Sequence, residues 1–113
     1  MAFYHSPEQI DDMNNISDTW SSFPPAVPSV PQRSSDVAKP AEKILIGEWL
    51  SNHLRIDGED DGWWCWEGSR NYLFADGQVR FLKAREIRRA NDGWPDANLT
   101  KKGIKGKDCS PTD

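Results

Sequence analysis

The sequence predicts an α+β fold: a small antiparallel sheet with an Asp-Gly hairpin, a short N-terminal helix and an irregular C-terminal tail. Three observations carry this expectation. Asp76-Gly77 separates two alternating runs, Asn71-Tyr72-Leu73-Phe74-Ala75 and Gln78-Val79-Arg80-Phe81-Leu82. Such a dipeptide between alternating strands is a strong hairpin signal, because both turn residues need positive φ. Ser6-Pro7-Glu8-Gln9 opens a helix, and Lys43-Ile44-Leu45-Ile46-Gly47-Glu48-Trp49-Leu50 is apolar enough for a central strand.

At the N-terminus, Ser6 caps, Pro7 suits the first turn and Gln9 completes a capping box. Glu8, Asp11 and Asp12 complement the helix dipole, and Ile10, Met13 and Ile16 share one side. The helix is expected to run to Asp18 or Trp20. Residues 21–40 hold five of the eight prolines and much serine, which reads as an extended connector. Within it, Pro25 and Pro28 have the P-x-x-P spacing of proline-reading modules. The expected organisation is therefore helix 1–20, connector 21–40, head domain 41–108 and tail 109–113. A two-residue turn at Asp76-Gly77 pairs Phe74 with Val79 and Tyr72 with Phe81. Opposed residues share a face, so Tyr72, Phe74, Val79 and Phe81 are expected to form one apolar patch. Asn71, Gln78 and Arg80 fall on the other face. Lys83 to Ala90 reads as one or two helical turns with Ile87 inward, ended by Asn91-Asp92-Gly93-Trp94-Pro95.

Composition narrows the function. The chain has 113 residues, 36% hydrophobic and 28% charged, and is one domain at most. No apolar run approaches the roughly 18 residues of a membrane helix, and no charged-then-apolar leader follows Met1. The net charge of −4 disfavours a nucleic-acid partner. That charge is polarised: residues 1–77 carry 13 acids against 5 bases, and residues 78–113 carry 9 bases against 5 acids. Such a subunit can attract its own copy head to tail. No phosphate loop, dinucleotide fingerprint or nucleophile motif is present. His53 with Cys65, or a buried Glu48, is thin ground for catalysis, so no enzymatic function is expected.

Residues 71–82, together with the preceding Pro40-Ala41-Glu42-Lys43-Ile44-Leu45-Ile46-Gly47-Glu48 and the following Ala90-Asn91-Asp92-Gly93-Trp94-Pro95-Asp96-Ala97-Asn98-Leu99, resemble the prepilin-type, processing-associated His-to-Asp-Gly family. These are pseudopilin-like proteins of planctomycetes and related bacteria, and the resemblance spans roughly residues 40–108. Asn71, Phe74, Asp76 and Gly77 carry the turn motif. The resemblance implies a structural head domain of a type II secretion or type IV pilus-like system. Its partners would be other pilin-like subunits or its own copies. The family's His falls at Trp66, and the position after Asp-Gly, often His, is Gln78. The family's leader and long apolar helix are also absent from this sequence. Residence is expected in the periplasm or at the cell surface if a leader exists, and in the cytoplasm if the chain is complete as given. In pilin-like proteins one sheet face packs on the long helix. The patch of Tyr72, Phe74, Val79 and Phe81 is therefore expected to be an assembly face, exposed and prone to self-association.

Further candidates are weighed against plain solvation or packing. Asp57, Glu59, Asp60 and Asp61 form a glycine-bent loop able to offer calcium several oxygens. A second candidate calcium set is Asp92, Asp96, Asn98 and Asp108. Trp63, Trp64 and Trp66 fill a core or, in the alternative reading of a secreted binding module, stack on carbohydrate or peptide. Cys65 and Cys109 fit one disulfide or two free thiols.

Overall fold

The computed structural model describes residues 2–14, 27–48 and 68–109. Helix α1, Pro7–Asp11, is built as its first residues dictate. Ser6 Oγ accepts from Gln9 N at 3.2 Å, and Gln9 Oε1 accepts in return from Ser6 N at 2.9 Å. The expected helix extends to 18 or 20, but the chain leaves helical geometry after Asp11. Asn91 Nδ2 donates to the Ile10 carbonyl at 2.6 Å, and Asp11 Oδ1 accepts from Lys102 N at 2.6 Å. The helix end is thus satisfied by distant residues rather than by another turn. Residues 15–20 lie outside the described residues.

The part of the proline-rich stretch from Val27 onward lies against the N-terminus. Val30 N donates to Tyr4 O and Gln32 N to Phe3 O, both at 2.7 Å, and Gln9 Nε2 reaches Pro28 O. Proline has no N–H to donate, so the contacts fall to intervening residues such as Val30 and Gln32.

Strands β1 (Ile44–Gly47), β2 (Ser69–Phe74) and β3 (Val79–Lys83) form an antiparallel sheet in the order β1-β2-β3. The reversal between β2 and β3 differs from the expected two-residue turn. Gly77 N donates to Phe74 O and Phe74 N to Gln78 O, both at 2.9 Å, so Phe74 opposes Gln78 across a loop of Ala75, Asp76 and Gly77. Only Gly77 has positive φ, at 93°. A turn followed by one left-handed glycine closes a three-residue loop and moves the register by one. Leu73 consequently opposes Val79, Tyr72 opposes Arg80, and Asn71 opposes Phe81. A one-residue slip transfers every side chain of one strand to the other face.

The expected patch is thereby split. Tyr72 and Phe74 point inward and are 6% and 0% exposed, whereas Val79 and Phe81 point outward at 66% and 56%. Arg80, expected opposite Leu73 on the polar face, joins the inner face. Its guanidinium lies 5.4 Å from the Phe74 ring centroid, and its Nη1 lies 3.4 Å from Cys109 Sγ.

Strand β1 contains a bulge. Ile44 opposes Phe74 and Ile46 opposes Leu73, so two steps on β1 meet one on β2. The bulge puts Ile44 in the core and Ile46 on the outer face, although simple alternation would give both the same side. The main core gathers Ile44, Tyr72, Phe74, Leu82, Ile87 and Cys109, and a second cluster joins Ile10 and Met13 to Ala90 and Leu99. Ile87 is inward, as expected, after a short 3₁₀ turn at Ala84–Glu86.

Gly47 is required by the Tyr72 ring: a Cβ there would sit 2.7 Å from Tyr72 Cδ1. Gly47→Ala should therefore destabilise the fold by about 1–3 kcal/mol through overpacking. Urea unfolding of the two proteins followed by circular dichroism measures the difference.

Candidate functional site

Among the described residues, three charged or apolar arrangements border the strands of the sheet. The first is fully buried. Lys43 Nζ lies 2.7 Å from Asp108 Oδ2 and also donates to Thr100 Oγ1, Ala97 O and Ile44 O. Asp108 Oδ2 also accepts from Ile44 N at 2.7 Å, and Asp108 Oδ1 accepts from the Thr100 hydroxyl at 2.6 Å. An ion pair removed from water is tolerated only when its remaining donors and acceptors are satisfied in this way. Here the pair also fixes the entry to β1 and the end of the described chain.

This pair engages one member of the second candidate calcium set. Both oxygens of Asp108 are occupied by Lys43, Ile44 and Thr100, so Asp108 does not join Asp92, Asp96 and Asn98. Asn98 turns donors toward Asp96: its N and Nδ2 both lie 2.8 Å from Asp96 Oδ1. Among the described residues, no three His, Cys, Asp or Glu side chains converge as metal ligands would. The other calcium candidates, Asp57, Glu59, Asp60 and Asp61, lie outside the described residues. So do Trp63, Trp64 and Trp66, and Cys65 with them. Cys109 is a buried free thiol whose pKa is raised by burial, against the lowering influence of Arg80.

The second arrangement is a cleft of about 170 Å³ between the N-terminal residues, β1, β2 and residues 95–98. It is lined by Glu48, Arg70, Tyr72, Asp96 and Asn98, with Phe3 among its apolar neighbours. Glu48 Oε2 accepts from Asn71 N at 2.6 Å, which fastens β1 to β2. Burial raises the Tyr72 pKa, and the adjacent Arg70, hydrogen-bonded to its hydroxyl, works in the opposite direction. Asp96 is pushed up to about 7, first by burial and then by a hydrogen bond with Asp92. Oδ2 of each aspartate is buried, and the neighbouring Asp92 carboxyl favours the protonated form of Asp96.

The third is the outer face of the sheet. Ile46, Leu73 and Val79 stand in one row across the three strands, and Phe81 lies two residues along β3 on the same side. Ile46 is 62% exposed. A shallow depression of about 240 Å³ runs along this row beside Gly47, Glu48 and Asn71. Two of its apolar members, Val79 and Phe81, belong to the expected assembly face. Ile46 and Leu73 were hidden from sequence reasoning by the bulge and the altered register.

Comparison with family models, with curated proteins and with solved structures found no match. Among the described residues, no helix is long and apolar enough to cross a membrane.

Two outcomes follow from the buried charges. Asp108→Asn should destabilise the fold by about 3–5 kcal/mol by leaving Lys43 buried without its counter-charge. Adding Lys43→Met should restore part of that loss in urea titrations. Asp96 has a folded pKa above its unfolded value, so the folded state holds the extra proton between the two. Its contribution is therefore full below pH 3.8, declines as pH rises toward about 7 and is lost above that. Asp96→Asn should flatten that decline, since its amide can donate to Asp92 at every pH. Melting temperatures of both proteins from pH 4 to 8 test this, and parallel profiles would exclude the raised Asp96 pKa.

Proposed function

We propose that this chain is the head domain of a pseudopilin-like, non-enzymatic structural subunit, acting through subunit contacts in a type II secretion or type IV pilus-like assembly. The observation that carries the reading is the apolar row Ile46-Leu73-Val79, with Phe81, on the outer face of an antiparallel sheet whose inner face is already packed. A contiguous exposed apolar patch of this kind marks a protein contact. In the pilin-like arrangement one face of the sheet rests on a long apolar helix, and this row is the face that remains for such a contact. The ordered segments that resemble the family, 40–48, 71–82 and 90–99, form β1, the β2–β3 pair and the strap beneath it, which is consistent with one structural unit. Work at the cell surface or in the periplasm, alongside other pilin-like subunits or its own copies, belongs to this reading.

The isolated chain should self-associate through the same row. Sedimentation velocity over a concentration series should show a reversible shift to larger species. Val79→Lys with Phe81→Lys should abolish it while leaving the far-ultraviolet spectrum intact, because both side chains are exposed. A wild-type chain that stays monomeric and binds no apolar-surface dye would overturn the assignment of this face.

A further inference from the structure

Residues 100–107 turn back on themselves twice. Gly103 N donates to Thr100 O at 2.7 Å, Lys105 N to Lys102 O at 3.0 Å, and Gly106 N to Gly103 O at 3.1 Å. Lys102 and Gly103 are both left-handed, with φ of 69° and 55°. Left-handed backbone at a lysine is uncommon and persists where the surroundings impose it. The surroundings here do so: Lys102 N is held by Asp11 Oδ1, Ile104 O accepts from Ala38 N, and Lys105 Nζ reaches Asp36 O at 2.8 Å. At Gly106 a Cβ would lie 2.0 Å from Lys101 O, so the loop closes only on glycine.

This fixed frame presents Lys101, Lys102, Lys105 and Lys107 to a groove of about 450 Å³, completed by Arg88, Arg89 and Lys39. No carboxylate, aromatic or apolar side chain is among its described lining. Seven cations are thus concentrated in a chain whose net charge is −4. Of the acids beside it, Asp11 holds the Lys102 amide and Asp108 is paired with Lys43. Gathering like charges raises the energy of the free fold and is offset when an anion arrives.

We infer that this groove binds a compact, multivalent phosphate anion. Arginine forks match phosphate oxygens in pairs, and lysines add point charge. Among the described lining residues, none offers the aromatic stacking platform that a single-stranded nucleic acid uses, and none is the apolar anchor that forms the usual hot spot of a peptide site. Free oligophosphate and the phosphate headgroups of a lipid surface share the recognised chemistry. The groove shares no residue with the outer sheet row, so the two proposals stand or fall separately.

Titration calorimetry of the full chain with sodium tripolyphosphate should show saturable binding that weakens as salt concentration rises. The triple variant Lys39→Gln, Arg88→Gln, Lys101→Gln should lose roughly tenfold or more in affinity. Lys83→Gln, an exposed change on β3 outside the groove, should stay within about twofold. Circular dichroism verifies that each variant folds. Co-sedimentation with phosphatidylglycerol–phosphatidylcholine vesicles distinguishes the source. Vesicle binding lost in the triple variant supports the groove and assigns the headgroup, and tripolyphosphate binding without vesicle binding supports it and assigns a free oligophosphate. No heat with tripolyphosphate at low salt, or equal affinity in the triple variant, overturns the inference. Tighter binding of duplex DNA, or of a peptide spanning residues 55–62, overturns it in favour of a macromolecular partner.

Discussion

The architecture depends on the buried pairing of Lys43 with Asp108. The two residues are 65 apart in the chain and meet at 2.7 Å with side chains almost wholly out of water. Each makes further bonds: Lys43 donates to the carbonyls of Ile44 and Ala97, and Asp108 accepts from the Ile44 amide and the Thr100 hydroxyl. Backbone bonds on either side, Asp108 N to Glu42 O and Arg88 N to Asp108 O, extend the junction to the segment after β3. The geometry leaves few alternatives, because any shift of β1 relative to the C-terminal segment would strand a charge in the interior. Apolar side chains could supply comparable stability at that position, but they would not specify one partner as this pair does.

Local chemistry was legible where the determinant was local. Ser6, Pro7 and Gln9 suffice for the start of α1, since a capping box needs only backbone donors three residues away. The alternation on either side of Asp76-Gly77 likewise suffices for two strands. It does not decide between a two-residue and a three-residue reversal, because an Asp-Gly pair serves both. In the first case both residues take positive φ; in the second Gly77 alone does, with Asp76 Oδ1 accepting from Gln78 N at 3.1 Å. That single ambiguity separated Val79 and Phe81, which stay on the surface, from Tyr72 and Phe74, which are buried, and moved Arg80 to the inner face. The bulge in β1 is equally silent, because Ile44, Leu45 and Ile46 are all apolar and alternation has nothing to register.

The candidate site was less legible for a different reason. A sequence shows which groups carry charge but not which of them leave water. Lys43 reads as the polar edge of an apolar strand, and Asp108 as one acid in a basic tail. Their burial follows from the path of residues 97–109 across the sheet, a long-range property. Asp92 and Asp96 were legible as neighbours. Whether they share a cation or a proton is decided by their surroundings, and Asn98 supplies donors where a metal site would supply oxygen. The basic character of residues 78–113 was visible as a charge asymmetry. Its concentration in one groove requires the left-handed reversal at Lys102-Gly103 and the arrival of Lys39 from another part of the chain.

The sheet shows an inversion of the ordinary arrangement. Antiparallel sheets with one solvated face place polar residues there. In this protein the inner face holds Arg70 and Arg80 beside Tyr72 and Phe74, whereas the outer face presents Ile46, Leu73, Val79 and Phe81. Guanidinium groups taken out of water are costly unless they are held; the half-buried Arg80 lies against a ring and a thiol, and the fully buried Arg70 is hydrogen-bonded to the Tyr72 hydroxyl. Exposed aliphatic and aromatic side chains forgo about 25 cal/mol for each square ångström left in water. Both costs are carried by the same three strands, and the second is recovered only when something apolar lies across the outer face. On the proposed reading, a sheet patterned for burial on two sides is one layer of an assembly, and the basic groove shares no residue with that layer.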